Sequence, residues 1–323
     1  MKQGARWALS AGLTLVGLVV AFHGVDWGVF SLSLRRTGAL WGLALVPVVM
    51  GVEYRLRTAR WSLLMGGARG YFPVVAAAFF LNTVLPFRAG EAARAYWSHR
   101  RSGRSLSGCV AGLVVDRLGD ALALLGVFAV FLFHVGDRTP GSKIGALVFV
   151  LAIALAALGI GVRWPETVRK KLLPGGSPPL WVRIVEGVLA GVAPLRAGRI
   201  ALGVGALSGM VWTLNVFLYW WVAGLFGINL SLSQAGGVLA AIALGVALPS
   251  TPGFVGVYEA AGVLMLGSLG IEKERALAFV LALHGAQIIG AAVWGGPSLW
   301  LLGRGEGDAS RAVSGIDKIQ RPS

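Results

Sequence analysis

Residues 81–94 read LNTVLPFRAGEAAR. An apolar helical stretch stops at Leu85-Pro86, passes Arg88 and Gly90, and resumes as a helix at Glu91-Ala92-Ala93. Proline removes a backbone donor and glycine permits a tight turn, so the helix is interrupted there. Irregular backbone and charge survive at membrane depth only where they face protein or a water-filled cavity. The stretch is therefore the mark of a broken, re-entrant membrane helix. Residues 247–261, ALPSTPGFVGVYEAA, repeat the pattern with Ser250, Thr251, Pro252, Gly253, Gly256 and Glu259 at the break. The two stretches predict two halves of one substrate site. The fold class that follows is an all-α polytopic membrane protein, with about six full spans and two broken helical hairpins.

Composition agrees. Of 323 residues, 56% are hydrophobic and only 13% are charged, and the mean hydropathy is +0.75. The net charge of +15 does not point to nucleic acid, because no soluble basic stretch carries it. Lys and Arg instead sit in short loops between apolar runs, as the positive-inside rule expects, where they also suit anionic headgroups. Placing those loops inside puts both termini in the cytoplasm of a bacterial inner membrane, with Arg35 and Arg36 on the opposing side. Cys109 is the single cysteine, so no internal disulfide or cysteine metal cluster exists, and packing is its expected role. No P-loop, HExxH or Cys/His cluster is present, and no cofactor or metal is expected. The N-terminus lacks a cleavage pattern and reads as an uncleaved first helix.

In chain order, residues 7–25 read as a first span. Residues 38–52 are short for a span but can extend into 53–60 with the arginines snorkelling, and Arg55, Arg57, Arg60 and Arg69 then form a basic loop. The first broken segment follows and returns on its own side. Residues 106–135 and 144–162 read as spans three and four. A basic stretch over 163–199 holds a short surface helix at 181–192. Residues 200–226 are a fifth span, 233–269 the second broken segment, and 276–302 the last span. One domain over 1–302 divides into halves, 1–135 and 144–302, ahead of a disordered tail over 303–323. An odd number of crossings separates equivalent elements, so the halves form an inverted 4+4 repeat, a transporter architecture. Glu91 to Asp116 and Glu259 to His284 have the same spacing.

The resumed helix after Pro86 points backbone amides inward, and such an end attracts phosphate or carboxylate. Arg88 adds a fork that matches phosphate. Glu91 and Arg94 are i, i+3 neighbours that either pair with each other or serve as cap and snorkel. Thr251 and Pro252 suit a helix start; Glu259 either sits in that helix's first turn or faces the same cavity as Glu91. Asp116 and Asp120 share one helix face beside Arg117. A structural Asp–Arg network, with Arg117 paired to a carboxylate of the span or the motif, is the default reading, and use in transport is secondary. His284 and Gln287 sit where they can bond across helices, as do Asn215 and Tyr219.

The segments NTVLPFRAGEAAR, VVDRLGDALAL and LPSTPGFVGVYEAAG, with RTARWSLLM upstream, resemble the lysylphosphatidylglycerol synthase transmembrane-domain, or flippase-like, family up to about residue 302. The resemblance implies a polytopic domain that moves lipids between leaflets. It carries function onto Asn82, Pro86, Arg88, Gly90, Glu91, Arg94, Asp116, Arg117, Pro252, Gly253, Gly256 and Glu259. The family's second motif commonly reads Pro-Gly-Gly, whereas Phe254 follows Gly253 here, which alters the fit at that tip. The cytosolic aminoacyl-transfer domain of some members is absent, so synthase activity is not implied. The expectation is a lipid translocase and not an enzyme. Its ligand is an anionic or aminoacylated phospholipid, or a polyprenyl or hopanoid-type lipid. Arg88, Arg94 and the helix ends bind phosphate, while Glu91 and Glu259 engage a cationic headgroup or a proton. The alternatives are a membrane enzyme acting on a lipid-linked substrate, or an accessory subunit of such an enzyme. A lipid-modifying partner and self-association are both compatible with the sequence.

Overall fold

The computed structural model describes residues 3–34, 39–67, 69–85, 88–135, 195, 197–247 and 252–319. Among them the chain is helical throughout, with no strand. The expected span at 144–162, the surface helix at 181–192, Pro86 and Thr251 lie outside the described residues.

Helix α1 (Gln3–Phe22) does not run on as a single span. Gly24 adopts a left-handed φ of 69°, and Asp26 accepts the amides of Gly28 and Val29 at 2.8 and 3.1 Å, starting α2 (Trp27–Leu34). The two meet at a bend of 91°. After the short α3 (Ala39–Leu43), Pro47 opens α4 (Val46–Leu64) in its first turn. This corrects the reading of a basic loop or snorkelling arginines: Arg57 and Arg60 lie buried in α4, because carboxylates on a neighbouring helix meet them there.

The first interrupted segment is a helical hairpin, α5 (Phe72–Val84) and α6 (Ala89–Ser102). Any Cβ at Gly90 would strike the carbonyl of Ala78 and the side chain of Asn82, so glycine lets the first turn of α6 close on α5. Gly103, left-handed at φ 68°, ends α6 before the long α7 (Leu106–Val135). The second hairpin is α9 (Leu232–Ala247), a 3₁₀ turn (Pro252–Phe254) and α10 (Val257–Ser268). Helix α8 (Gly198–Leu225) precedes it. Helix α11 (Lys273–Ile319) follows and continues past residue 303, where composition suggested a disordered tail.

By length and composition, α8 and the Lys273–Arg304 part of α11 can each cross a membrane, and the bent pair of α1 and α2 makes a third if taken as one span. Exposed apolar side chains such as Leu202, Met210, Ile289 and Val293 cover outward faces of α8 and α11. Water-exposed surface of that kind is disfavoured, whereas lipid accepts it. The chain is a multi-pass helical membrane protein.

The packing crosses between the hairpins. Helix α6 lies along α7 and α10 along α11, while α5 packs along α11 and α9 along α7. Helix α4 packs against both α8 and α11. In lipid, helices associate through close backbone approach and interhelical hydrogen bonds rather than hydrophobic exclusion. Gly51 of α4 seats the Trp294 ring of α11, whose Nε1 donates to the Pro47 carbonyl at 2.7 Å. Gly290 abuts Met50 and Pro47, and Gly295 abuts Phe80 and the Ala76 carbonyl of α5.

Gly295→Leu should therefore lower stability by about 1–3 kcal/mol, the usual penalty of overpacking. Gly296→Leu, where an added Cβ meets nothing within 4 Å, should be near neutral. Thermal unfolding of detergent-solubilised protein compares the two; equal melting temperatures would refute the close approach of α5 and α11.

Candidate functional site

The two interruptions meet. At the first, Leu85 is extended, and Arg88 takes a left-handed conformation at φ 54°, which swings its side chain away from α6. Its Nη2 donates to the Val246 carbonyl in the last turn of α9, 3.0 Å away. At the second, Gly253 (φ 71°) and Phe254 (φ 57°) are both left-handed, and the Gly253 backbone rests near the Thr83 carbonyl. A non-glycine residue at positive φ is costly, by about 1–3 kcal/mol in sparsely populated regions, and persists where its surroundings fix it.

Beside this junction lies a cavity of about 270 Å³. Its polar lining comes from five places: Glu53 and Tyr54 of α4, Asn82, Thr83 and Arg88 of the first hairpin, Arg117 of α7, Asn215 of α8, and His284 with Gln287 of α11. Phe254 and Val246 of the second hairpin close the apolar side.

Behind one wall is a buried ionic network. Arg57 bridges Glu53 at 2.7 Å and Asp120 at 3.0 Å. Arg60, fully buried, bridges Asp116 at 2.7 Å and Asp120 at 2.8 Å, and donates to Ser208 of α8 at 2.7 Å. Arg94 reaches Asp116 at 2.9 Å with its guanidinium over the Trp61 ring. Trp212 Nε1 donates to Asp120 at 3.1 Å. Arg117 bonds Asp120 at 3.3 Å and forms a close pair with Glu91. Four arginines (57, 60, 94 and 117) thus face four carboxylates (53, 91, 116 and 120), and the network is neutral. Burial penalises each charge by several kcal/mol, which only such compensation makes bearable.

Behind the opposite wall, Glu259 is 2% exposed. One of its oxygens accepts the Gly256 amide at 2.7 Å, and the other meets His284 Nδ1 at 2.6 Å. It is a helix cap and an imidazole partner at once. The His284 ring stacks on Tyr258 with centroids 4.0 Å apart. Tyr258 in turn bonds Tyr219 at 2.9 Å and Gln287 at 2.8 Å.

Of the residues singled out from sequence, Asn82, Arg88, Arg117 and His284 line the cavity. Glu91 and Glu259 do not line it; each stands one step behind, holding Arg117 and His284 respectively. Arg94, Asp116 and Asp120 belong to the buried network, and Gly90, Pro252, Gly253 and Gly256 shape backbone. Glu91 and Arg94 neither pair with each other nor leave Arg94 snorkelling: Glu91 bonds Arg117, and the buried guanidinium of Arg94 turns inward to Asp116 of α7. Arg57, Arg60, Glu53 and Tyr54 were missed as site residues. Their signal is the i, i+3 arginine pair complementing Asp116 and Asp120 at i, i+4. Among the described residues no cluster of His, Cys, Asp and Glu is suited to a metal ion.

A family model described as the lysylphosphatidylglycerol synthase TM region matches residues 7–295. Among curated proteins, glycosyltransferase AglD of Haloferax volcanii is 27% identical over 289 residues, covering 76% of this chain and 46% of that protein. The chain spans less than half the length of that relative. No solved structure matches. The similarity to AglD corrects the expectation of a non-enzymatic chain, since that relative is named as an enzyme.

Asp116→Asn, which keeps shape but removes the charge between Arg60 and Arg94, should destabilise the fold by about 3–5 kcal/mol. Adding Arg94→Met should recover part of that loss. Melting temperatures of the single and double variants in detergent check this; a single variant as stable as the parent would contradict a buried pair.

Proposed function

The chain belongs to the lysylphosphatidylglycerol synthase TM-region family, and on that premise we propose that it holds the headgroup of a phosphate-bearing lipid for a group-transfer reaction. A lysylphosphatidylglycerol synthase and a glycosyltransferase both, by name, attach a polar group to an acceptor. The lipid side of such a reaction needs a polar pocket within reach of the bilayer. The observation that carries the reading is Arg88. It lines the cavity, and no carboxylate partners it among the described residues. Its planar fork suits a phosphate oxygen pair. Arg117 flanks it from α7, and Asn82, Asn215, Gln287 and Tyr54 supply neutral bonding groups for the rest of the head. The acyl chains stay in lipid.

A second reading, movement of the lipid between leaflets, draws support from the exchange of partners between hairpins. Helix α5 lies on α11 and α9 on α7, while α6 and α10 each lie on the helix that follows them. That reciprocity is what an inverted repeat produces, and inverted repeats with discontinuous helices form midplane sites in transporters. In this arrangement the base of the first hairpin, with Arg69, Arg100, Arg101 and Arg104, faces the cytoplasm of the inner membrane, and both termini lie on that side.

A photoactivatable phosphatidylglycerol, incorporated into nanodiscs with the full-length protein, should crosslink to peptides bearing Asn82–Arg88 and Asn215. Arg88→Ala should reduce that crosslinking about tenfold, the loss of one charge-assisted contact. Labelling spread over the outer helix faces and indifferent to Arg88 would refute the site. Dithionite quenching of labelled lipid in proteoliposomes separates the second reading from the first.

A further inference from the structure

The cavity's two walls differ in how their charge closes. The network of four arginines and four carboxylates is neutral, so it offers an incoming group no net charge. Two elements remain outside it: Arg88, and the Glu259–His284 pair. With His284 neutral, the negative charge of Glu259 offsets the positive charge of Arg88. A monoanionic headgroup entering then leaves the cavity one negative charge in excess, in surroundings that penalise uncompensated charge.

The geometry supplies the missing charge. Glu259 holds His284 through Nδ1, so the ring nitrogen left for the cavity is Nε2. On a neutral ring with its proton at Nδ1, that nitrogen is an acceptor and repels an anion; protonated, it is a donor aimed at one. The carboxylate partner, the fixed ring stacked on Tyr258, and the Tyr219–Tyr258–Gln287 chain keep the imidazole in one orientation through the change. We propose that the cavity takes up an anionic phosphodiester headgroup together with one proton, which resides on His284. This rests on the headgroup site described above and adds the proton to it.

The titratable and charged groups around His284 come from each packed element. Helix α10 brings Tyr258 and Glu259, α4 brings Glu53, Tyr54 and Arg57, α8 brings Tyr219, and Arg88 and Arg117 face it across the cavity. Helices α2 and α5 bring none, and α11 itself carries charge only toward its two ends, at Lys273, Glu274 and Arg275 and from Arg304 onward. Glu53 and Arg57 are already paired, and the tyrosines stay neutral near pH 7. Imidazole is the one side-chain type among these whose ordinary charge change falls in that range.

The test is binding of the same photoactivatable phosphatidylglycerol in phosphatidylcholine nanodiscs from about pH 5 to 8, where histidine titrates and a phosphodiester does not. Uptake of one proton makes affinity fall by up to about tenfold per pH unit as pH rises. His284→Gln, which keeps a bond to Glu259, should flatten that slope. Glu259→Gln removes the charge that offsets Arg88, so affinity at pH 8 should rise toward the low-pH value of the parent rather than drop. Arg88→Ala should weaken binding at every pH. A slope that survives in His284→Gln, or weaker binding at pH 8 in Glu259→Gln, overturns the proton linkage and leaves the headgroup site standing. Binding indifferent to Arg88→Ala at every pH overturns the site itself. Should either substitution prevent folding, pH-indicator measurement of the parent protein in weak buffer decides: proton uptake on lipid addition supports the linkage, and none refutes it.

Discussion

A membrane interior tolerates charge only in compensated sets, and this requirement fixes most of the first half of the molecule. Asp116 and Asp120 lie on one face of α7, and each carboxylate meets arginines from other elements, Arg60 and Arg94 at Asp116 and Arg57 and Arg60 at Asp120, which also bonds Arg117 of its own helix. The pairs bind α4, α6 and α7 into one block, and Ser208 and Trp212 extend it to α8. Because a stranded partner is far worse than a missing pair, the set holds together or fails together. The placement of Arg117 at the cavity follows from it, since Glu91 and Asp120 leave the guanidinium little freedom.

The interruptions were legible because proline, glycine and carboxylate mark them locally, and the hairpins α5–α6 and α9–α10 stand where those residues put them. The default pairing of Arg117 with a carboxylate of the span or the motif corresponds to bonds with both Asp120 and Glu91. Long-range complementarity was not legible. Arg57 and Arg60 look, in sequence, like loop or interfacial arginines, because nothing within α4 except Glu53 announces a buried partner 56 to 63 positions later. The helix beyond the bend at Gly24 escaped for a different reason. The first span, expected over 7–25, stops at the bend, but α2 beyond it was not expected as helix, because the local cap of Asp26 is visible only once the turn exists. Glu91 was expected at the cavity surface and Glu259 either there or in the first turn of its helix; Glu259 takes the first-turn place, and each carboxylate holds the side chain in front of it, Arg117 or His284.

That displacement changes what the cavity is. Unpaired carboxylates on its surface would select a cationic group; Glu53 there is already paired with Arg57, and Glu91 behind Arg117 leaves a donor facing inward that favours an anion. The two proposed readings share this chemistry of recognition and differ in the step that follows. The similarity to a glycosyltransferase weights the first, and the reciprocal packing of the hairpins weights the second.

At one point α1 and the second hairpin touch backbone to backbone, beside the packing of Ala21 and Val263. A Cβ at Gly17 would fall on the Gly256 backbone, and one at Gly256 on the carbonyl of Thr14. Gly256 is also the residue whose amide anchors Glu259. Two bare backbones touching leave no slack: neither position can enlarge unless the other moves, and movement at Gly256 is movement of the Glu259 carboxylate. The first helix of the chain is thereby made a spacer for the imidazole more than 250 positions downstream, and substitutions along its inner edge are filtered by chemistry they never contact.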